Sequence, residues 1–122
     1  MMLALLVATA GAAGAVTRFL ADGAVQERTR GVLPWGTITV NVAGSFALGV
    51  VTGLVLFHGI WSVSVAVIGT GFCGGLTTWS TASWETVRLA QAGEPRAAIV
   101  NALGGLVTSL AAATCGLLIA AL

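Results

Sequence analysis

Between Trp61 and Glu85 an apolar run passes without a polar break into Gly69-Thr70-Gly71-Phe72-Cys73-Gly74-Gly75-Leu76-Thr77-Thr78-Trp79-Ser80-Thr81-Ala82-Ser83-Trp84-Glu85. Continued to the turn at Gly93 as one straight helix, this region would extend over roughly 30 residues, or about 45 Å, against the roughly 30 Å of hydrocarbon in a bilayer. The spacing therefore predicts an interruption, and Gly74-Gly75 is the expected place. Glycine tolerates unusual backbone angles there, and the freed carbonyls and amides can face something other than lipid. A broken membrane helix commonly marks an ion or substrate site.

Only 7% of the 122 residues are charged and 57% are hydrophobic, the balance of an integral membrane protein rather than a soluble one. That length holds about four spans of about 20 residues with short loops, so a single four-span domain over 1–122 is expected. The basic residues are five arginines with no lysine, which excludes a P-loop and offers no nucleic-acid face. Gly69-Thr70-Gly71-Phe72-Cys73-Gly74 matches the letters of a dinucleotide fingerprint but has no strand before it and no correctly spaced acid after it. No nucleophile–base constellation is present, so an enzyme is not expected. Met1 to Ala15 is apolar but has no basic leader, and reads as a retained span.

Span one is predicted from Leu3 to Leu20, with Gly11 and Gly14 allowing close helix approach. Arg18, near its end, either snorkels to the interface or attracts anions at a vestibule. A loop from Asp22 to Pro34 leads to span two, Thr37 to Phe57, in which Gly49 and Gly53 make a packing face. Asn41 there must find a partner across helices or line a path, because a lone amide in hydrocarbon is costly. His58-Gly59 turns the chain into span three, and His58 has no second histidine to share a metal. Span four, Ala97 to Leu122, carries Asn101, Thr108 and Ser109 near one face. Such hydroxyls often bond their own i−4 carbonyls, so the stripe by itself says little. Cys73 and Cys115 read as small buried hydrophobes.

Gly14-Ala15-Val16-Thr17-Arg18, then Gly36-Thr37-x-x-Val40-Asn41-x-x-Gly44-Ser45-Phe46, then Gly71-Phe72-Cys73-Gly74-Gly75-Leu76-Thr77-Thr78 with Ser80-Thr81 and Glu85 resemble the Fluc/CrcB fluoride channel family. The resemblance covers nearly the whole chain in order. It implies four-span subunits in an antiparallel, dual-topology dimer in the cell membrane, letting fluoride leave passively and so reducing its toxicity. It also implies a structural, non-transported Na+ at the dimer centre, held by the Gly74 and Thr77 carbonyls. The fluoride pathway it implies runs past Asn41, Trp79, Ser80, Thr81, Ala82 and Ser109, with Arg18 and Glu85 as vestibule charges. Donor groups would replace the anion's water, and the positive edges of aromatic rings would add to them. The family usually reads Thr-Thr-Phe-Ser-Thr-Phe-Ser here, whereas Trp79 and Ala82 stand at the two phenylalanine positions.

Two other classes compete. A small four-span multidrug exporter needs an acid within span one, and none precedes Asp22. The alternative is a subunit of a heterodimeric fluoride channel, non-conducting or partly conducting, paired with an opposite-facing paralogue. Four spans put Arg28, Arg30, Arg88 and Arg96, with Arg18 at the edge, on one side and no basic side chain on the other. Positive residues mark the cytoplasmic face, so both termini are expected outside.

Overall fold

A computed structural model describes residues 1–59 and 62–122. Among them every regular element is helical. α1 spans Met2–Arg28, α2 Trp35–His58, α3 residues 62–76, α4 Trp79–Gln91 and α5 Pro95–Ile119. The predicted start of span three at Trp61 lies outside the described residues.

α1, α2 and α5, of 27, 24 and 25 residues, are each long and apolar enough to cross a membrane. At about 1.5 Å per residue each exceeds the roughly 30 Å apolar layer. α1 continues eight residues past the predicted end at Leu20. The expected loop from Asp22 begins instead at Thr29, because Ala21 to Arg28 contains mostly good helix formers and no breaker. α2 starts at Trp35, two residues before its predicted start, directly after Pro34. It ends at Gly59, whose φ of +64° is left-handed and suits glycine.

The break expected in the third span does not fall at Gly74-Gly75. Both lie inside α3, with Gly74 at φ −64°, ψ −35°, and the chain leaves the helix at Thr77 and Thr78, both extended. The glycines serve packing instead. A methyl on Gly75 would run into the Gly11 carbonyl, one on Gly71 into the Val7 carbonyl and one on Gly14 into the Phe72 carbonyl. α1 and α3 thus lie backbone against backbone, a contact only small residues permit.

The α2–α5 seam has the same construction. Gly49 faces the Ala113 carbonyl, Gly53 the Leu117 carbonyl, and Gly116 the Phe46 carbonyl. Two stretches are wound as wider π-helix, Val65–Cys73 in α3 and Val100–Gly104 in α5. α4 packs on the first turns of α5. Large apolar side chains on the outer faces, including Phe19, Leu106, Val107 and Leu110, are exposed, as lipid or a partner helix requires. Cys73 is buried as expected, whereas Cys115 is exposed on the outer face of α5.

The two ends of the helices are distinct. His58 Nε2 donates to the Ala120 carbonyl at 2.8 Å, tying the end of α2 to the end of α5. At the other end Glu27, Pro34 and Arg88 line one cavity, so the α1–α2 loop and the C-terminus of α4 are neighbours.

Candidate functional site

Where α3 ends, the Thr77 carbonyl and the amide and carbonyl of Thr78 lose their helical partners and must find others. Asn41, one helix away on α2, meets both groups of Thr78. Its Nδ2 donates to the Thr78 carbonyl at 3.0 Å, and its Oδ1 accepts from the Thr78 amide at 2.6 Å. The Thr77 amide and hydroxyl both return to the Cys73 carbonyl, each at 2.9 Å. Arg18, half-buried, donates from Nη1 to the Thr77 carbonyl at 3.2 Å. The residue expected to snorkel or to sit in a vestibule therefore holds the break itself.

α4 then begins with Thr78 as its N-cap. The Thr78 hydroxyl oxygen accepts from the Thr81 amide at 3.2 Å, its hydrogen goes to Thr81 Oγ1 at 3.0 Å, and the Ser80 hydroxyl lies 3.3 Å away. Such a cap satisfies one of the orphan amides of a new helix. The hydroxyls that read as pore groups are thus also what restarts the helix.

A groove of about 510 Å³ runs between α2, the break, α4 and α5. It is lined by Asn41, Trp79, Ala82 and Ser109 of the predicted pathway, together with Thr78, Thr86 and Asn101. Ser80 and Thr81 do not line it; they lie at the hydroxyl cluster beside Thr78. Trp79 is 76% exposed. Thr108 bonds the Gly104 carbonyl at 2.6 Å and stays outside the groove, since the π-turn before it shifts the helix register.

Glu85 lies one turn beyond Ala82. Its Oε1 accepts from Thr37 Oγ1 at 3.0 Å, Thr37 being 1% exposed, while Oε2 is buried with no partner among the described residues. Arg88 stacks on the Trp84 ring, its guanidinium carbon 5.0 Å from the centroid. Glu85 and Arg88 both border the second cavity, of about 570 Å³, with Asp22 and Glu27. Asn101 and Thr86 were not singled out as site residues from sequence. An asparagine in an apolar span was the available signal for the first, the same one that selected Asn41.

At the break, the carbonyls of Gly74, Gly75 and Leu76 meet no donor among the described residues. Backbone oxygens of this kind are hard ligands suited to a small hard cation. Gly74 has both lone pairs open, whereas Thr77 already gives one to Arg18.

A multi-pass helical membrane protein with an interrupted helix, whose break is lined by hydrogen-bond donors rather than by a catalytic constellation, defines the class of channels and carriers. The chain belongs to the CrcB family: the model described as "CrcB-like protein, Camphor Resistance (CrcB)" matches residues 5–117. It is 48% identical to Fluoride-specific ion channel FluC 1 of Leifsonia xyli over 95% of this chain and 85% of that one. It is 45% identical to FluC 1 of Frankia casuarinae, over 92% and 91% of the two chains. FluC 2 of Cutibacterium acnes is 42% identical over 95% of each. All three carry the names of ion channels, in keeping with a sequence that offers no catalytic constellation.

Proposed function

We propose that this chain is a subunit of a fluoride channel that lets the anion leave the cell passively. The observation carrying this reading is the donor-lined break, where Asn41 and the hydroxyls around Thr78 gather beside an apolar groove. Fluoride is small and strongly hydrated, and crosses an apolar layer only where N–H and O–H groups replace its water. Asn41 Nδ2 spends one hydrogen on Thr78 and keeps a second. Ser109 contributes a hydroxyl, and Trp79 a ring whose edge attracts anions. Ala82 contributes no ring, which leaves open space in the groove beside it.

In this reading α3 and α4, of 15 and 13 residues, are the two halves of one span, each about 20 Å long and too short to cross alone. That makes four spans in one domain, with a second, antiparallel subunit covering the groove and the exposed Trp79. A sodium ion would be held by the Gly74 and Thr77 carbonyls, where it would supply fixed positive charge near the anion path. Arg18 shares the Thr77 carbonyl and holds it in place.

The arginine distribution favours a second arrangement, in which an opposite-facing paralogue is the partner. Arg28, Arg30, Arg88 and Arg96 belong to the end opposite His58 and Ala120, which carries no lysine or arginine. A chain so biased inserts one way. The test of the channel reading is fluoride efflux from liposomes carrying this protein, alone and with a paralogue. Fluoride passing well ahead of chloride supports it; no fluoride passage in either preparation, or equal passage of chloride, overturns it.

A further inference from the structure

α4 and α5 form a hairpin closed by residues 92–94, with Gly93 at φ +81° and the Glu94 amide donating to the Leu89 carbonyl at 3.0 Å. Leu89 and Ala98 turn inward and are buried. The exposed face of α4 carries Trp84, Val87 and Arg88, at the i, i+3, i+4 spacing of one stripe, and that of α5 carries Arg96, Ile99 and Leu103. In both stripes the arginine stands at the outer end, next to the turn, with apolar side chains below it.

Depth follows from length. α5, at 25 residues, is about 37 Å long against roughly 30 Å of hydrocarbon, so Arg96, its second residue, stands at head-group level. Arg88 lies four residues before the turn begins, which brings it within about 6 Å of that level. Trp84 is one turn deeper, at the edge of the hydrocarbon where interfacial aromatics sit.

Neither arginine is neutralised by the protein. Among the described residues no arginine lies within 4.0 Å of a carboxylate oxygen, and Arg88 and Arg96 make no side-chain hydrogen bond. Glu27 and Glu85 border a cavity with Arg88, and Glu94 stands exposed in the turn, but none of them pairs with it. Arg88 lies over the Trp84 ring instead. Stacking uses the flat face of the guanidinium and leaves its in-plane N–H donors free for oxygen.

Two unpaired arginines above two apolar stripes complement a molecule with a negative head and hydrocarbon tails. We propose that the α4–α5 hairpin binds an anionic phospholipid, Arg88 and Arg96 taking its phosphate and Val87, Ile99 and Leu103 its acyl chains. Guanidinium matches phosphate oxygens two at a time, and the Trp84 stack holds that of Arg88 at the depth where they lie. A zwitterionic lipid brings the same phosphate with a cation attached, which two unpaired arginines repel, so the site selects net negative charge. α4 and α5 are also two walls of the groove beside the break, and the lipid braces them. The proposal rests on membrane insertion alone and holds whichever ion crosses.

Native mass spectrometry of the whole chain counts bound lipid, with phosphatidylglycerol, phosphatidylcholine and inorganic phosphate as separate probes. Phosphatidylglycerol should bind saturably and about tenfold or more tighter than phosphatidylcholine. Arg88→Gln or Arg96→Gln should weaken it about fivefold, and the two together about thirtyfold. Trp84→Ala should weaken it as well, with Trp84→Phe restoring most of the loss. Arg30→Gln, in the α1–α2 loop, should leave it unchanged; an equal loss there would mean diffuse attraction to positive charge and overturns the proposal. A second readout needs no variant to fold: in nanodiscs the wild-type unfolding midpoint should rise saturably as phosphatidylglycerol replaces phosphatidylcholine. Lipid counts and midpoints that do not distinguish the two lipids overturn the proposal. Inorganic phosphate that displaces phosphatidylglycerol and raises the midpoint equally would make a free anion the ligand, and overturns it too.

Discussion

Asn41 and Thr78 are paired in both directions across 37 residues of sequence, the carboxamide standing in for the two helical bonds that Thr78 loses. An unmade hydrogen bond to a buried group costs about 1–3 kcal/mol. Asn41→Ala leaves both the amide and the carbonyl of Thr78 unmet, so a loss of several kcal/mol is expected, alongside fluoride flux below about a tenth of wild type. Asn41→Asp keeps the acceptor for the amide and loses the donor to the carbonyl, and should fall between. Thermal unfolding in detergent, followed by tryptophan fluorescence and paired with liposome flux, checks the order. Equal midpoints for all three proteins would show that Asn41 does not hold the break.

Gly75 and Gly105 are both helical glycines, yet a methyl on the first meets the Gly11 carbonyl while one on the second meets nothing within 4 Å. Gly75→Ala must push α1 and α3 apart, at a cost of about 1–3 kcal/mol for overpacking. Gly105→Ala should be neutral or stabilising by up to about 1 kcal/mol, since alanine restricts the unfolded chain. Detergent-resistant folded fraction and unfolding midpoint separate the two. Similar loss in both variants would refute the backbone-to-backbone contact.

The same glycines explain where sequence reasoning stopped short. The excess length of the third span made a break legible, and Asn41 was legible as an amide in need of a partner. Gly74-Gly75, however, reads identically as a hinge and as a close-packing face. Which one applies depends on α1 lying against it, a long-range fact that local spacing does not contain. Thr77 and Thr78 take the break instead because their hydroxyls and Asn41 replace the missing helical bonds. The π-turns have no composition signal, which is why Asn101 looked like one member of a weak polar stripe. Arg18 could be placed near the membrane edge from sequence, but its reach to the Thr77 carbonyl depends on how α1 lies on α3.

If sodium is held by the Gly74 and Thr77 carbonyls, it stabilises the folded protein by mass action. Replacing sodium with N-methylglucamine at constant ionic strength should lower the unfolding midpoint by several degrees, and sodium should restore it in a saturable way. Arg18→Gln removes a neighbouring positive charge from the Thr77 carbonyl and should shift the half-saturating sodium concentration downward. A midpoint that is indifferent to sodium in both proteins would rule out the ion site. Because the readout is stability, it does not depend on whether the channel conducts.

The arginine asymmetry makes the most consequential prediction, since it bears on whether one gene product is enough. His58 bonded to Ala120 fixes the end of α2 and the end of α5 at one end of the protein. Arginines of the α1–α2 loop, α4 and the start of α5 lie towards the other. Basic residues in short loops stay in the cytoplasm, so both termini should be outside. A cysteine placed at Leu122, in a Cys73→Ser, Cys115→Ser background, should react in intact cells with a maleimide that cannot cross membranes. Labelling of nearly all copies would mean a single orientation, and an antiparallel pair would then require a paralogue facing the other way. Fluoride flux should in that case be weak from this protein alone and rise at least about tenfold on co-purification, the scale of one lost coupling of about 1.4 kcal/mol. Labelling of about half the copies, together with full fluoride-selective flux from this protein alone, would instead show that its arginine bias permits both orientations and that the homodimer is complete, with Trp79 and Ala82 sufficient for conduction.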